Sequence, residues 1–170
     1  MKTNIKKTLK LITLLVSSLF IATASVQAYQ AFMYIQGTIT IGSQKVVWIK
    51  EGTEISGDTV EMSFNVEPNL TKTFNETLYL KNKDSSNHNI ISIKVTDSVG
   101  SHFGICKVYI YENFTQSGQW TLVGTLDIKS TSSEISNKTL VTNGYYKFDF
   151  EIRATTTGSD NGFTIKVTYE

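Results

Sequence analysis

The stretch YKFDFEIRA, residues 146–154, alternates apolar and polar side chains along its whole length. Its apolar members are Tyr146, Phe148, Phe150, Ile152 and Ala154. This period of two is typical of a β-strand that has one face in a core and the other in water. The pattern predicts a solvated face that carries the charged side chains, with Asp149 and Glu151 among them.

The same alternation recurs through the rest of the chain. It is present in VEMSFNV (60–66), TFNETLYL (73–80), NIISIKV (89–95), ICKVYIY (105–111), QWTLVGTLDI (119–128) and FTIKVTY (163–169). The intervening segments are rich in turn residues, namely KNKDSSNHN (81–89), DSVGSHFG (97–104), STSSEISNKT (130–139) and TTTGSDNG (155–162). Eight or nine short strands of this kind predict a single all-β domain over residues 43–170, an antiparallel β-sandwich of jelly-roll type.

The first 28 residues have the order of a secretory signal. Four lysines precede an apolar run over 11–24, and the small-residue site Val26-Gln27-Ala28 follows it. A second candidate site is Ala22-Thr23-Ala24. We expect cleavage near Ala28 or Ala24, export, an extracellular location and no membrane attachment afterwards. The whole chain has a net charge of +1, and loss of the four lysines lowers it to about −3. No basic run then remains, so a nucleic-acid partner is not expected.

Residues 29–42 form a strand-like segment at the predicted new N-terminus. The candidate contact residues of this strand are Phe32, Met33, Ile35, Gly37, Ile39 and Ile41. Met33, Ile35, Ile39 and Ile41 fall on one face of it, interrupted by Gly37. The segment is either the first strand of its own sandwich or a donor strand that adds to the sheet of a neighbouring subunit. Head-to-tail donation is heterologous and builds an open filament unless a ring closes. The strand pattern leaves both possibilities open.

Motifs for catalysis or metal binding do not occur in the sequence. His88 and His102 are predicted to lie in loops, without the spacing of metal ligands. Asp149 and Glu151 fit a solvated strand face better than a catalytic pair. The loop around Asp84 has oxygen ligands that suit calcium, but with one carboxylate it fits a hydrogen-bonded turn better. We therefore expect neither an enzyme nor a cofactor or metal site.

The sequence also contains a single cysteine and four motifs for N-glycosylation. Cys106 lies in a strand pattern and is predicted to be a buried small apolar residue, the alternative being a disulfide between two chains. Four N-x-T sequons begin at Asn69, Asn75, Asn113 and Asn137. Their places fit exposure, so we expect glycosylation of some of them in an exported protein.

Three stretches carry a resemblance to a known family. They are AYQAFMY (28–34), the Gly-bounded GTITIG (37–42), and a second block in which the strand 78–82 ends in Lys-Asn before a turn. This layout resembles the TasA/camelysin-type biofilm fibre subunits and the archaeal bundling pilins. The resemblance implies a jelly-roll subunit that polymerises head to tail with copies of itself by donating its N-terminal strand. It also implies bundling with other filaments.

Two further classes of function remain open at this level. One is a pilin of the type-IV kind, in which the apolar N-terminal run is retained as a helix. The other is a monomeric secreted β-sandwich that binds carbohydrate or acts as an adhesin through exposed aromatic residues such as Tyr111 or Trp120. The mass of the mature N-terminus separates the first from the donor-strand hypothesis, and binding to glycans by a stable monomer distinguishes the second.

Overall fold

A computed structural model of the chain describes residues 33–40, 45–55, 57–114, 118–156, 158–159 and 162–170. The predicted signal and the candidate residues Phe32 and Ile41 lie outside these ranges. The described part of the chain consists of strands and turns and contains no helix. No helix among the described residues is therefore long and apolar enough to cross a membrane.

Twelve strands make up the part of the chain that the structure describes. They are β1 (Met33–Thr40), β2 (Val46–Lys50), β3 (Thr53–Ile55), β4 (Thr59–Val66), β5 (Thr71–Asn82), β6 (His88–Asp97), β7 (Phe103–Asn113), β8 (Thr121–Asp127), β9 (Glu134–Leu140), β10 (Tyr145–Ala154), β11 (Gly158–Ser159) and β12 (Phe163–Tyr169).

The strands form two six-stranded sheets. In the first sheet β4, β1, β12, β6 and β9 lie side by side, and the short β11 pairs with the beginning of β1 on the β12 side. In the second sheet the order is β3, β2, β5, β10, β7, β8. Every pairing is antiparallel except those of β1 with β12 and β11, which are parallel. The N-terminal strand is thus the exception in its sheet.

The chain passes repeatedly from one sheet to the other, which produces a β-sandwich. Only the β2–β3 and β7–β8 connections join neighbours within a sheet, apart from the short step from β11 to β12. Each of the other connections crosses between the sheets, as is typical of Greek-key and jelly-roll sandwiches. The predicted all-β sandwich is confirmed.

The core between the sheets is built from the apolar faces that the alternation predicted. β4 alternates strictly between exposed and buried residues, with Val60, Met62, Phe64 and Val66 buried. Aromatic rings meet across the core, and Phe64 lies 4.8 Å from Phe150 between ring centroids. Burial of each such side chain stabilises the fold by about 1.5–3 kcal/mol.

Two predictions from the strand pattern are wrong. Residues 130–139 were expected to be a turn segment, but β9 begins within them, and Ile135 and Leu140 are buried. His88 was expected in a loop, but it is the first residue of β6 and is 6% exposed. Both segments have a polar composition, which favours a turn. Pairing with β6 makes the first a strand, and a contact between His88 Nδ1 and the carbonyl of Glu170 holds the second.

Candidate assembly site

The N-terminal strand β1 occupies an interior position of the first sheet. All eight of its residues pair with β4 on one side, and residues 37–40 pair with β12 on the other. The remaining strands would leave a gap about 9.6 Å wide without β1, twice the spacing of adjacent strands. The facing edges of β4 and β12 would then expose unpaired backbone groups. β1 therefore fills a slot that the rest of the fold defines.

Gly37 fits this slot because it has no side chain. It lies opposite Met62 in β4 and opposite Phe163 in β12. A Cβ atom at residue 37 would overlap the Phe163 ring. The ring thus occupies the space that a larger residue would take, and it stacks on Phe64 with ring centroids 6.4 Å apart. Glycine at this position is required by the close approach of an aromatic ring.

The residues next to Gly37 show that β1 has two different faces. Ile39 is fully buried and lies between Val60 of β4 and Ile165 of β12. Thr38 is partly exposed and lies opposite Glu61, itself exposed. The change of environment between adjacent residues follows from the period-two geometry of the strand.

An open polar groove runs along the outer side of β1 at Thr38. Its volume is about 630 Å³. Most of the residues that line it are polar, and they belong to β1, β6 and β12 and to the turns beside them: Thr38, Thr96, Asp97, Ser98, Thr131, Gly162, Phe163 and Thr164. The outer face of the slot is therefore hydrophilic at this point, in contrast to the face that carries Ile39.

The structure describes the side-chain environment of only some of the predicted donor residues. Gly37 and Ile39 face the core as expected. For Met33 and Ile35 the backbone register alone is defined, and it pairs them with Val66 and Phe64 of β4. The acceptor residues of the slot, including Phe163, were not singled out from the sequence. Their signal is the strand alternation itself, which identifies core positions but not which core positions contact β1.

β1 is connected to the other eleven strands only through its Thr40 end. Residues 41–45 lead from there to β2, which belongs to the opposite sheet. Interior strands that are tethered at one end can exchange between copies of a chain without loss of any contact within the slot. β1 is therefore an interior strand whose connectivity suits donation.

The turn that was considered as a calcium loop is built from hydrogen bonds and an ion pair. Asp84 accepts hydrogen bonds from the backbone N–H of Ser85 (2.8 Å) and the hydroxyl of Ser86 (3.1 Å). Lys45 contacts the same carboxylate at 3.1 Å, and His88 Nε2 lies 3.2 Å from it. The hydrogen bonds from Lys45, Ser85 and Ser86 lower the pKa of Asp84 to about 2. No cluster of three metal-ligating side chains occurs among the described residues.

The buried side chain of Asn82 holds this turn through hydrogen bonds to its backbone. It is fully buried, and its side-chain oxygen accepts the backbone N–H of Asp84 at 2.8 Å. Its Nδ2 donates to the carbonyl of Ser86 at 2.8 Å and to that of Leu140 at 3.1 Å. The Lys-Asn ending of β5 thus has a structural reason, because one amide joins the turn to β9.

The four sequons occupy different environments. Asn69, Asn75 and Asn137 are exposed. Asn137 lies within β9 rather than in a loop. Asn113 is only 8% exposed, so the exposure expected from its place at the end of a strand is wrong. Glycosylation of these residues stays a prediction.

Cys106 is fully buried in β7, as the sequence predicted. A thiol in this position packs as a small apolar side chain and is not accessible to a second chain. The burial removes the alternative of a disulfide between two folded subunits through this residue.

Comparison of the sequence with protein-family models and with curated proteins finds no match to either. The resemblance to TasA/camelysin-type fibre subunits therefore stays a prediction.

Proposed function

We propose that this protein is the structural subunit of an extracellular filament, and that it polymerises by inserting β1 into the slot of the next subunit. The observation that carries the proposal is the interior position of β1, tethered at one end, with Gly37 fitted against the Phe163 ring. The secretory-type N-terminus and the resemblance to fibre subunits are consistent with it. The only partner that the proposal requires is a second copy of the chain.

Donation to a neighbour uses the same contacts as insertion into the subunit's own slot. In the single chain β1 already pairs with β4 and β12. A tethered strand is present at its own slot at an effective concentration on the order of millimolar. The filament must therefore gain additional contacts between subunits, or β1 must reach a neighbour before its own slot closes. This competition predicts slow assembly of isolated, folded subunits and faster growth from filament ends that already have an open slot.

Truncation of the chain tests the proposal. A variant that lacks residues 1–40 retains the second sheet, but its first sheet is divided because β4 and β12 lose their shared partner. We expect it to be less stable, prone to aggregation and unable to form regular fibres, because backbone edges and apolar side chains are exposed. A synthetic peptide of residues 29–42 should bind it, raise its melting temperature and keep it monomeric.

The peptide carrying Ile39→Asp is the matched control. Insertion would bury an unpaired carboxylate where Ile39 is fully buried, so this peptide should not raise the melting temperature. Electron microscopy and sedimentation measure fibre formation. Normal fibres from the truncated chain would disprove donation by β1.

A further inference from the structure

The outer face of the second sheet carries a row of large side chains where a solvated surface was expected. Ile49 of β2, Tyr79 of β5, Lys147 of β10 and Tyr111 of β7 lie directly opposite one another across four neighbouring strands. They lie on the side of the sheet that faces away from the core, because the core residues of β10 are the alternate ones. This row is the floor of the site described below.

Trp120 covers part of this row from the segment just before β8. Its ring lies 5.8 Å from that of Tyr79, and the Lys147 Nζ is 5.2 Å from the Trp120 ring. The same ammonium lies 4.8 Å from the Tyr111 ring and 2.9 Å from an oxygen of Asp149. Lys147 and Asp149 are consequently only 8% and 6% exposed, so the predicted solvated face is wrong at these two residues.

A cavity of about 380 Å³ opens beside the covered lysine. The residues that line it are Ile49, Tyr79, Asn113, Trp120 and Tyr145. Binding sites for small molecules have volumes of about 300–1,000 Å³ and combine apolar or aromatic walls with a few polar groups. This cavity lies at the small end of that range, and three of its five lining residues are aromatic with a polar edge.

Asn113 provides the polar group of the cavity wall. Its side-chain oxygen is buried and has no hydrogen-bond partner among the described residues. A buried amide oxygen without a donor is costly, so it usually has a bound water or ligand as partner. Asn113 is 8% exposed and lines the cavity. Asn113 therefore lines the cavity and has unused hydrogen-bonding capacity, although its Oδ1 atom is itself covered in the free protein.

We propose that this cavity is a binding site for a neutral saccharide of one or two rings, separate from the β1 slot and independent of filament assembly. The apolar C–H face of a pyranose stacks on aromatic rings such as those of Trp120 and Tyr145. On binding, the Asn113 amide turns so that its oxygen, which is covered in the free protein, accepts a hydrogen bond from a sugar hydroxyl. In this role Asn113 is a ligand contact rather than a glycan acceptor.

The charges at the site disfavour a cationic ligand and give an anionic one little advantage. Lys81 is a second cation beside the cavity, with its ammonium 5.1 Å from the Tyr145 ring. Rings of Trp and Tyr attract cations, but the Lys147 ammonium already occupies that position over Tyr111 and Trp120. A cationic ligand would be repelled by it. Asp149 neutralises Lys147 at 2.9 Å, so a carboxylate ligand gains little from the lysine.

Titration of the purified protein with defined sugars tests the proposal. Glucose, galactose, mannose, N-acetylglucosamine and their common disaccharides are the probes, with glucuronate and choline as the acidic and cationic comparisons. Ring contacts are detected by saturation-transfer NMR, and Trp120 reports through its fluorescence, since the other tryptophan, Trp48, is fully buried in the core. We expect at least one neutral sugar to bind with a Kd on the order of 1 mM, as suits a small polar ligand. Choline should bind at least tenfold more weakly, and glucuronate should bind no more tightly than glucose, because Lys147 is already paired with Asp149.

Three variants locate the site. Trp120→Ala and Tyr145→Leu should each weaken binding about tenfold or more, and Asn113→Ala about fivefold. Tyr145 contacts Lys81 at 5.1 Å rather than the Lys147–Asp149 pair, so its replacement leaves that pair covered if Trp120→Ala perturbs the fold. Leu122→Ala is the control, because Leu122 is 52% exposed on the neighbouring β8 and does not line the cavity.

Circular dichroism establishes that each variant is folded. Absence of binding by every sugar to the folded wild-type protein would overturn the proposal. Binding that survives both Trp120→Ala and Tyr145→Leu would overturn it as well, since the sugar would then bind elsewhere. Preferential binding of choline would show that the rings form a cation site instead.

Discussion

Gly37 is the residue at which β1 and its slot fit each other most closely. Glycine inside a strand ordinarily costs about 0.5–1 kcal/mol relative to alanine, because it loses more conformational entropy on folding. Here the Phe163 ring takes the space above the glycine backbone and contacts Phe64 and Phe150 with ring centroids 6.4 Å and 6.2 Å apart. The loss of a side chain in β1 is thus offset by an aromatic ring from β12.

This arrangement predicts an unusual effect of Gly37→Ala. The substitution should destabilise the protein by about 1–3 kcal/mol, because the new methyl group overlaps the Phe163 ring. In the double variant Gly37→Ala, Phe163→Leu the smaller and more flexible leucine should recover part of the lost stability. The free energy of unfolding in urea measures both effects. A stabilising effect of Gly37→Ala alone would contradict the close fit.

Asp84 provides a pH-dependent contribution to stability at the β5–β6 turn. Its pKa is lowered from 3.8 to about 2 in the folded protein, chiefly by the hydrogen bond from Lys45. A group with a lowered pKa stabilises the folded state above its unfolded pKa, and this contribution is lost as the pH falls through the folded pKa. The stabilisation should therefore be complete above about pH 4 and disappear toward pH 2.

Asp84→Asn tests this dependence. We expect the variant to be less stable than the wild type at pH 6, with a difference that shrinks between pH 4 and pH 2 as the wild-type carboxylate becomes protonated. Lys45→Met removes the main hydrogen-bond partner and should have an effect that does not add to that of Asp84→Asn. Urea titrations across this pH range measure the differences. A stability difference that stays constant from pH 6 to pH 2 is the result that this account does not allow.

At the scale of the element, β1 should tolerate charge on one face only. Ile39→Asp would place a carboxylate where Ile39 is fully buried between β4 and β12, at a cost of several kcal/mol or with forced protonation. Thr38→Asp places the same charge on the partly exposed face beside the polar groove, so its effect should be mild. We expect fibres from Thr38→Asp and none from Ile39→Asp.

Sedimentation measures the fibre yield of these two variants, and circular dichroism follows their folding. Because β1 pairs within the single chain, Ile39→Asp should also lower the melting temperature of the monomer. Equal loss of fibres in the two variants would contradict a slot that buries only one face of β1.

The alternation in the sequence predicted the strands that have a continuous apolar face. It did not predict strands whose formation depends on contacts with residues distant in the sequence. β10 and β12 follow directly from their sequence period. β9 does not, because its segment is polar and only Ile135 and Leu140 are buried in it. The alternation also could not predict that β1 lies between β4 and β12, because it indicates which face of a strand is buried but not which strands pair with it.

The covered face of β10 could not be predicted for a related reason. Lys147 and Asp149 alternate with core residues, and this period predicts that they face solvent. They do face away from the core, but Trp120, distant in sequence, folds over Lys147 at 5.2 Å. A loop that returns across a sheet leaves no periodic signal, so both the ion pair and the cavity beside it were missed.

At the level of the whole molecule, the fold is a two-sheet sandwich in which the N-terminal strand β1 lies inside the first sheet. Removal of β1 divides the first sheet into β4 on one side and β12, β6 and β9 on the other, while the second sheet is complete without it. In the single chain β1 completes the subunit's own sheet, and in the proposed filament it completes the sheet of a neighbour. The proposed filament is a chain of subunits in which each β1 completes the next sheet, and successive donation in one direction gives it a polarity.

The most direct test of β1 donation is the formation of a disulfide between β1 of one subunit and β4 of another. Thr38 and Glu61 lie directly opposite each other in the antiparallel β1–β4 pair, both on the outer face. Opposite residues in such pairs have Cα atoms about 4.5–5.5 Å apart, which suits a disulfide. One subunit should carry Thr38→Cys and the other Glu61→Cys, both with Cys106→Ala.

Co-assembly of the two single-cysteine subunits, followed by mild oxidation and a non-reducing denaturing gel, gives the decisive measurement. We predict a covalent dimer that contains one chain of each kind and is recovered with the sedimented filaments. Asn65→Cys in place of Glu61→Cys is the control, because it lies on the same strand face about 13 Å further along and should not form a bond to residue 38. Filaments that contain no mixed dimer, while a single chain carrying both Thr38→Cys and Glu61→Cys forms the bond only within itself, would contradict donation of β1.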